Sequence, residues 1–510
     1  MENFLQQLTT VNNAINDFVW VRLGLILLLG TGVLLTVLTK FFQISHLGHW
    51  WKSTIVSVFK KDGKATKNNE EKSISQFQAL CTALAATVGT GNIAGVAAAI
   101  VLGGPGAVFW MWVAAFFGMM TNYSENVLGI YFRRKNKDGE WSGGAMYYLK
   151  DGLGSKKGCK QIGSILAVLF AIFAILASFG IGNMGQINKI VLNLDSAFFN
   201  NVDLGKIGSI DILNLLIGVI LMILAALIIL GGLKRIASFA ERVVPFMAIA
   251  YVIGALILFC INIDKVGAMF ASIFKFAFGI KAVAGGAAGV AISQVITQGC
   301  KRGVFSNEAG LGSSVMVHSS SNVKEPVKQG MWGIFEVFFD TMVVCTMTAV
   351  VVFSSGYIDL NTGLPIGDVS DATLVSQAFG NVFGKAGEIF VALAMLLFAF
   401  TTVLSWSQYG TKAVEYLFGE KATKIYKVIF VIMIISGAIM TSSIAWDISD
   451  TFNGLMMIPN LIGVVVLCPL VAKITKNYVD RKIKNKDVAP TLSYDSEIEA
   501  QQAATLAEDE

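Results

Sequence analysis

The residues best able to do chemistry here are polar groups set inside long apolar runs. "ATVGTGNIAGVAAAI" (86–100) holds Gly89, Gly91 and Gly95, with Thr90 and Asn92 among them. "AVAGGAAGVAI" (282–292) holds a second cluster, Gly285, Gly286 and Gly289. "FTTVLSWSQYG" (400–410) puts the hydroxyls of Thr401, Thr402 and Ser405 on nearby helix faces, with Trp406 one turn from Thr402. "ASFGIGNMGQINKI" (177–190) adds Asn183 and Gln186. Glycine weakens a helix and can free its backbone groups. Freed carbonyls and hydroxyls are oxygen ligands of the kind a sodium ion uses. Three acids, Glu125, Glu336 and Asp340, also lie in apolar stretches, and an ionisable group there is costly and thus a functional candidate. Each feature also has a plainer reading: small-residue packing faces, hydroxyls bonded back to their own helix, and carboxylates that fix packing by accepting hydrogen bonds.

Catalytic and nucleotide-binding readings fare worse. "GNVFGKAG" (380–387) has too few residues between its glycines for a phosphate loop, and no hydroxyl follows Lys385. Gly89, Gly91 and Gly95 are one residue too widely spaced for a dinucleotide fingerprint. His46, His49 and His318 are the only histidines; the first two, at i, i+3, read as a surface pair sooner than as metal ligands. Six scattered cysteines without a Cys-x-x-Cys read as packing residues. No enzyme, no cofactor and no nucleic-acid partner is expected.

These groups need elements to position them, and composition names the class. Of 510 residues, 55% are hydrophobic and 14% charged, where soluble domains carry about 25% charged residues. Mean hydropathy is +0.65. This is an all-α integral membrane protein. The N-terminus lacks the basic stretch of a secretory signal, so the first apolar run reads as a retained helix. With about 20 apolar residues per crossing, eleven spans are expected: 17–42, 76–102, 105–131, 161–190, 211–232, 243–262, 267–301, 329–354, 386–409, 425–443 and 452–472. Lysines and arginines cluster in alternate connections, for example Lys60, Lys61 and Lys64, Arg133 and Arg134, and Lys301 and Arg302. Asp195, Asp203, Asp359, Asp447 and Asp450 fall on the other side. The positive-inside rule then puts the N-terminus outside and the C-terminus in the cytoplasm, in the cell membrane. Asp340, about eleven residues into its span, falls roughly 16 Å from the inner end, near the midplane.

The two glycine clusters lie in spans of opposite direction, five spans apart. That spacing suggests an inverted repeat of five plus five helices with one extra N-terminal helix. Discontinuous helices in corresponding positions point to a transport site at the midplane. The expected division is 1–42, the extra helix; 43–75, a basic cytoplasmic connection; 76–262 and 263–475, the two repeats; and 476–510, a cytoplasmic tail disordered at its end. A channel is the main rival class.

"GGPGAVFWMWVAAFFG" (103–118) closely resembles the defining stretch of the alanine or glycine:cation symporters, also called sodium:alanine symporters. "GTGNIAGVA" (89–97), "GGAMYYL" (143–149), "RGVFSNEAGLGSS" (302–314) and "FFDTMVVCT" (338–346) agree as well. The resemblance implies a fold like the sodium-coupled leucine transporter. It also implies symport of a small neutral amino acid with sodium, or with protons. By resemblance, the amino acid would lie against Thr90, Gly91 and Asn92, with Gln186, Thr402 and Trp406 around it. The family's usual "GGFAG" reads "GGAAG" here, with Ala287 in place of phenylalanine, which reshapes a wall and opens the question of a larger substrate. Carboxylate binding at the amides after Gly91 follows from the helix dipole. Gln186 with the Gly285–Gly286 loop would take the ammonium group, and Trp406 and Ala291 would limit side-chain size. Ala86, Gly89, Thr401, Thr402 and Ser405 would coordinate sodium, with Glu125 and Asp340 as structural or coupling groups.

Overall fold

A computed structural model describes residues 2–60, 73–199, 202–208, 210–278, 292–367, 371–440 and 444–509. Regular structure is helical apart from two short antiparallel hairpins, Arg134–Lys135 with Trp141–Ser142 and Lys206–Ile207 with Ile210–Asp211. The main helices are α1 (Thr9–Leu38), α2 (Gln76–Thr87), α3 (Gly91–Gly103), α4 (Gly106–Tyr131), α5 (Lys160–Phe199), α6 (Ile212–Ile229) and α7 (Gly232–Ile261). They continue as α8 (Ile263–Phe276), α9 (Ile292–Asn307), α10 (Pro326–Ser354), α11 (Asp371–Phe383) and α12 (Lys385–Phe418). The last three are α13 (Glu420–Ile439), α14 (Ile444–Lys482) and α15 (Ser496–Asp509).

Local chemistry sets several boundaries. Ser75 and Gln78 form a reciprocal capping box at the start of α2. Asp211 accepts from the amides of Leu213 and Asn214 at the start of α6. Pro326 occupies the first turn of α10. Gly384 and Gly419, both at positive φ, bound α12.

Eight of these helices are long and apolar enough to cross a membrane, and the bent pair α2–α3 makes a ninth if counted as one span. Two of the eleven expected spans differ. The 26-residue helix α4 carries Thr121, Asn122, Ser124, Glu125 and Asn126, all buried, and these dilute its apolar character. The expected seventh span, 267–301, divides between α8, α9 and residues outside the described set. The burial pattern is that of a bundle in lipid: Ile165, Ile220, Leu227, Phe246 and Ile425 are exposed, whereas Asn122, Glu125, Glu336 and Asp340 are buried. Inside, α4 packs on α9 and α10, α5 on α12 and α14, and α2 on α7 and α12.

One charge assignment needs correcting. The sequence suggests that Lys301 marks the basic end of its span and Asp450 the opposite side. Their side chains meet at 2.7 Å, and Asn16 joins them from α1, so they share a side. The reason is that α9 continues beyond Lys301 to Asn307, and the chain then unwinds before a short helix at Val315–His318. The span that holds Lys301 thus extends beyond it, to about His318. At the C-terminus, the stretch expected to be disordered forms α15, held by Tyr494 N–H donating to the Tyr131 carbonyl at 2.9 Å and by the buried Leu492. His46 and His49 have separate partners, Ser45 and Tyr478. Burial lowers the pKa of both from the ordinary value.

A close approach of two helix backbones lies at the start of α4. A Cβ at Gly106 would sit 2.0 Å from the Phe276 carbonyl oxygen on α8. We expect Gly106→Val to force the two backbones apart at a cost of about 1–3 kcal/mol. A lowered melting temperature in detergent checks this; an unchanged one contradicts the close approach.

Candidate binding site at the helix breaks

The first glycine cluster is a break in a helix. Val88 leaves the helical region (φ −78°, ψ 84°), and the chain resumes at Gly91 with a 53° bend between α2 and α3. Gly89 is required by a close approach: a Cβ there would come within 2.5 Å of Thr402 Oγ1. At Gly91 a Cβ would lie 3.1 Å from the Phe305 ring.

Side chains then satisfy part of the freed backbone. The Asn92 side-chain oxygen accepts from Gly89 N–H at 2.9 Å, and its amide donates to Asp340 Oδ1 at 2.6 Å. Thr402 Oγ1 lies 3.0 Å from the Ala85 carbonyl and 2.9 Å from that of Phe398. Asp340 Oδ2 accepts from Ser306 (2.8 Å) and Thr341 (2.9 Å).

A second break follows α9. Glu308, Gly310 and Gly312 all have positive φ (56°, 92° and 72°), and the chain is helical again at Val315–His318. Asn307 Oδ1 accepts from Ala309 N–H at 3.0 Å, and Ser313 donates to Glu308 at 2.5 Å. The sequence places the partner break at 285–289. Gly285, Gly286, Ala287, Gly289 and Ala291 lie outside the described residues, and the break seen here is about twenty residues later.

Between the breaks is a small cavity. Ala86, Thr87, Gly89 and Gly91 line it from the first break, and Phe305 and Glu308 from the second. Ile181 and Gln186 come from α5, Thr402 and Trp406 from α12, and Asn453 from α14. Thr90 and Asn92 are buried beside it. Gln186 Oε1 and Asn453 Oδ1 are buried carbonyl oxygens without a hydrogen-bond partner among the described residues. Gln186 is held by its amide donating to the Ile181 carbonyl at 3.2 Å. Trp406 packs over Gly182, where a Cβ would come within 2.5 Å of it. One part of the wall thus offers acceptors. Gly91, in the first turn of α3, brings the positive end of a helix dipole to the same cavity.

Among the expected cation ligands, Thr402 lines the cavity and Ser405 Oγ is buried without a partner among the described residues. Thr401 instead faces Leu397 and Phe398 of its own helix and Met247 of α7. Glu125 accepts from Asn460, which also takes the Tyr148 hydroxyl and donates to the Gly310 carbonyl. It therefore ties α4 and α14 to the second break. Glu336 accepts from Asn122 and His318. The Gln329 amide meets His318 Nδ1 at 2.6 Å, so Nδ1 accepts and the proton sits on Nε2, facing Glu336.

Sequence reasoning missed Glu308, Phe305 and Asn453. Glu308 falls beyond the expected end of the seventh span, among residues that read as a connection. Its signal is an acid two residues before a Gly-x-Gly-Ser-Ser turn. Asn453 was a lone amide at the start of the eleventh span.

A bundle with two broken helices around a polar cavity, set within an apolar surround, defines a membrane transporter for a small polar solute. The chain belongs to the sodium:alanine symporter family, which it matches over residues 5–492. It is 42% identical over 466 residues to the sodium/alanine symporter AgcS of Methanococcus maripaludis, covering 91% of this chain and 96% of that protein. It is 36% identical over 475 residues to a probable sodium/glutamine symporter, GlnT, of Bacillus subtilis, covering 92% and 91%. A putative sodium/proton-dependent alanine carrier protein of the same organism, YrbD, is 36% identical over 487 residues, covering 93% of each. Among solved structures, the crystal structure of MhsT in complex with L-phenylalanine covers 80% of this chain and 99% of its own at 13% identity, with a TM-score of 0.49. The family makes this chain a cation-coupled amino-acid symporter rather than an enzyme.

The break geometry generates one prediction. With Phe305 already 3.1 Å from a Cβ at position 91, Gly91→Leu fills the cavity. Binding of labelled alanine to purified protein should fall below detection, and wild-type affinity would remove the loop from the site.

Proposed function

We propose that this protein couples inward transport of a small neutral amino acid, alanine or glycine, to sodium by alternating access across the cell membrane. The observation that carries this reading is the pairing of the helix N-terminus at Gly91 with unpartnered carbonyl oxygens around one cavity. A zwitterion matches both. Its carboxylate lies at the amides after Thr90 and Gly91, where the dipole of α3 favours a negative charge. Its ammonium donates to Gln186 Oε1 and Asn453 Oδ1 and is drawn by Glu308. Trp406 limits the side chain.

Sodium takes the carbonyls that end α2, near Ala86 and Gly89, together with the hydroxyls of Thr402 and Ser405, and Thr401 supports them from the adjacent face. Each ligand stabilises the same closed arrangement of the two broken helices, and that shared preference is the coupling. Two spans are broken, at 88–90 and at 308–314, and the charge pattern reads them as running in opposite directions. They support an inverted repeat of five plus five helices like the leucine transporter's, with α1 outside it and eleven spans in all. In the same reading the N-terminus is outside and the C-terminus cytoplasmic, given the basic connections.

The test is uptake of labelled alanine by purified protein in liposomes. We expect accumulation under an inward sodium gradient, saturable in alanine. Conduction without saturation would favour a channel. Thr402→Val should raise the sodium concentration for half-maximal uptake by about tenfold, from the loss of one oxygen ligand and its tie to Ala85. An unchanged sodium response would move the cation elsewhere.

A second reading is a somewhat larger neutral substrate, or a proton in place of sodium. It is favoured by Ala287 in place of phenylalanine and by the names of the two Bacillus relatives. Here glutamine should compete with labelled alanine for uptake, whereas competition by glycine and alanine alone would discard the larger pocket.

A further inference from the structure

The two helix breaks are joined through one carboxylate. Asp340, fully buried on α10, accepts from Asn92 at the edge of the first break and from Ser306 at the edge of the second. Thr341 donates to the same oxygen as Ser306 and itself accepts from the Asn307 amide at 2.9 Å. Among the described residues, every hydrogen-bond partner of Asp340 is uncharged, and no ion pair reaches it. A bare charge inside an apolar span is unfavourable by several kcal/mol. Such a carboxylate needs a compensating cation for at least part of the working cycle.

The hydrogen bonding distinguishes which cation. Asn92 is fixed with its amide nitrogen toward Asp340, because its oxygen is held by Gly89 N–H at 2.9 Å. Turning that amide over to offer an oxygen to a metal ion would lose this bond and free a buried backbone donor. A proton needs no such change. Ser306 Oγ lies 2.8 Å from Asp340 Oδ2 and 3.3 Å from Cys345 Sγ. With a proton on Oδ2, the new O–H donates to Ser306 Oγ, and the Ser306 hydrogen turns to the sulfur. No heavy atom has to move.

The geometry points to Asp340 as a proton-binding site that links the two broken helices, loading one proton from the water-facing side and releasing it on the other. The proposal rests on the symport reading above and adds a second coupled ion to it. When Asp340 is ionised, it grips Asn92, Ser306 and Thr341 by charge-assisted bonds. Protonation weakens that grip and lets the breaks move relative to each other. Other titratable groups face the cluster. Cys345 and Glu336 lie on α10, Glu308 follows α9, and Tyr251 on α7 bonds Thr348 at 2.7 Å. Glu336 is engaged by His318 and Asn122. The one carboxylate of α4, Glu125, is held by Asn460, and α3 carries no titratable side chain.

The test uses the full chain in liposomes loaded with a trapped pH-sensitive dye and sodium at equal concentration on both sides. Addition of alanine to the wild type should acidify the lumen in proportion to alanine entry. Asp340→Asn holds the site in a neutral form. It should lose alanine-coupled proton entry by at least about tenfold while alanine–alanine exchange persists; Asp340→Glu should restore part of the proton signal. Proton entry that survives in Asp340→Asn overturns the proposal. So does wild-type uptake driven by sodium with no proton movement, an outcome that leaves the symport reading intact and does not depend on any variant folding. Absence of uptake under every gradient overturns the symport reading itself, and this one with it.

Discussion

A chain that leaves the helix inside a bilayer must find new partners for its amides and carbonyls, and the organisation of this protein follows from how it meets that demand. At the first break, Asn92 takes the Gly89 amide and Thr402 takes the Ala85 carbonyl. Asp340 holds Asn92, and the same carboxylate reaches Ser306 beside the second break. The satisfied groups fix the shape of the loop. The groups left over, the oxygens of Gln186 and Asn453, have no partner among the described residues, and the first turn of α3 borders the same cavity. Conformation and binding capacity thus arise from one division of the same hydrogen-bonding groups.

The surrounding helices serve this arrangement. Small residues let them come close: Gly182 admits the Trp406 ring, Gly89 admits Thr402, and Gly106 admits the end of α8. Buried acids elsewhere are tied by neutral amides, as Glu125 is by Asn460 and Glu336 by Asn122. These ties cross between helices that must keep a fixed relation near the breaks, notably α4, α10 and α14. The apolar outer faces of α5, α6, α7 and α13 are what the membrane touches.

Much of this was legible in the sequence, for physical reasons. Apolar runs of span length and the alternation of lysines with acids gave the multi-span helical class. Gly89 and Gly91 beside Asn92 marked the first break, since glycines bracketing a short amide suit a chain that must turn in a confined space. Gln186, Thr402 and Trp406 stood out as polar or aromatic groups at midspan, and all three line the cavity. The second break was read from glycine density at 285–289, whereas the unwinding seen here uses Glu308, Gly310 and Gly312, of which only two are glycine. Lys301 misled as well: a lysine paired with Asp450 can sit at the end of the span where the charge rule expects none. Asn453 lines the cavity because α14 packs against α5, a tertiary contact that no local pattern encodes.

The central claim is that the start of α3, together with the oxygens of Gln186 and Asn453, holds a zwitterion between the two breaks. Cryo-electron microscopy of the protein with sodium and alanine tests it most directly. The account predicts density for a small amino acid in this cavity, its carboxylate at the start of α3 and its ammonium toward Gln186 and Asn453. A cavity still empty at saturating alanine, with the amino acid bound elsewhere, would contradict it.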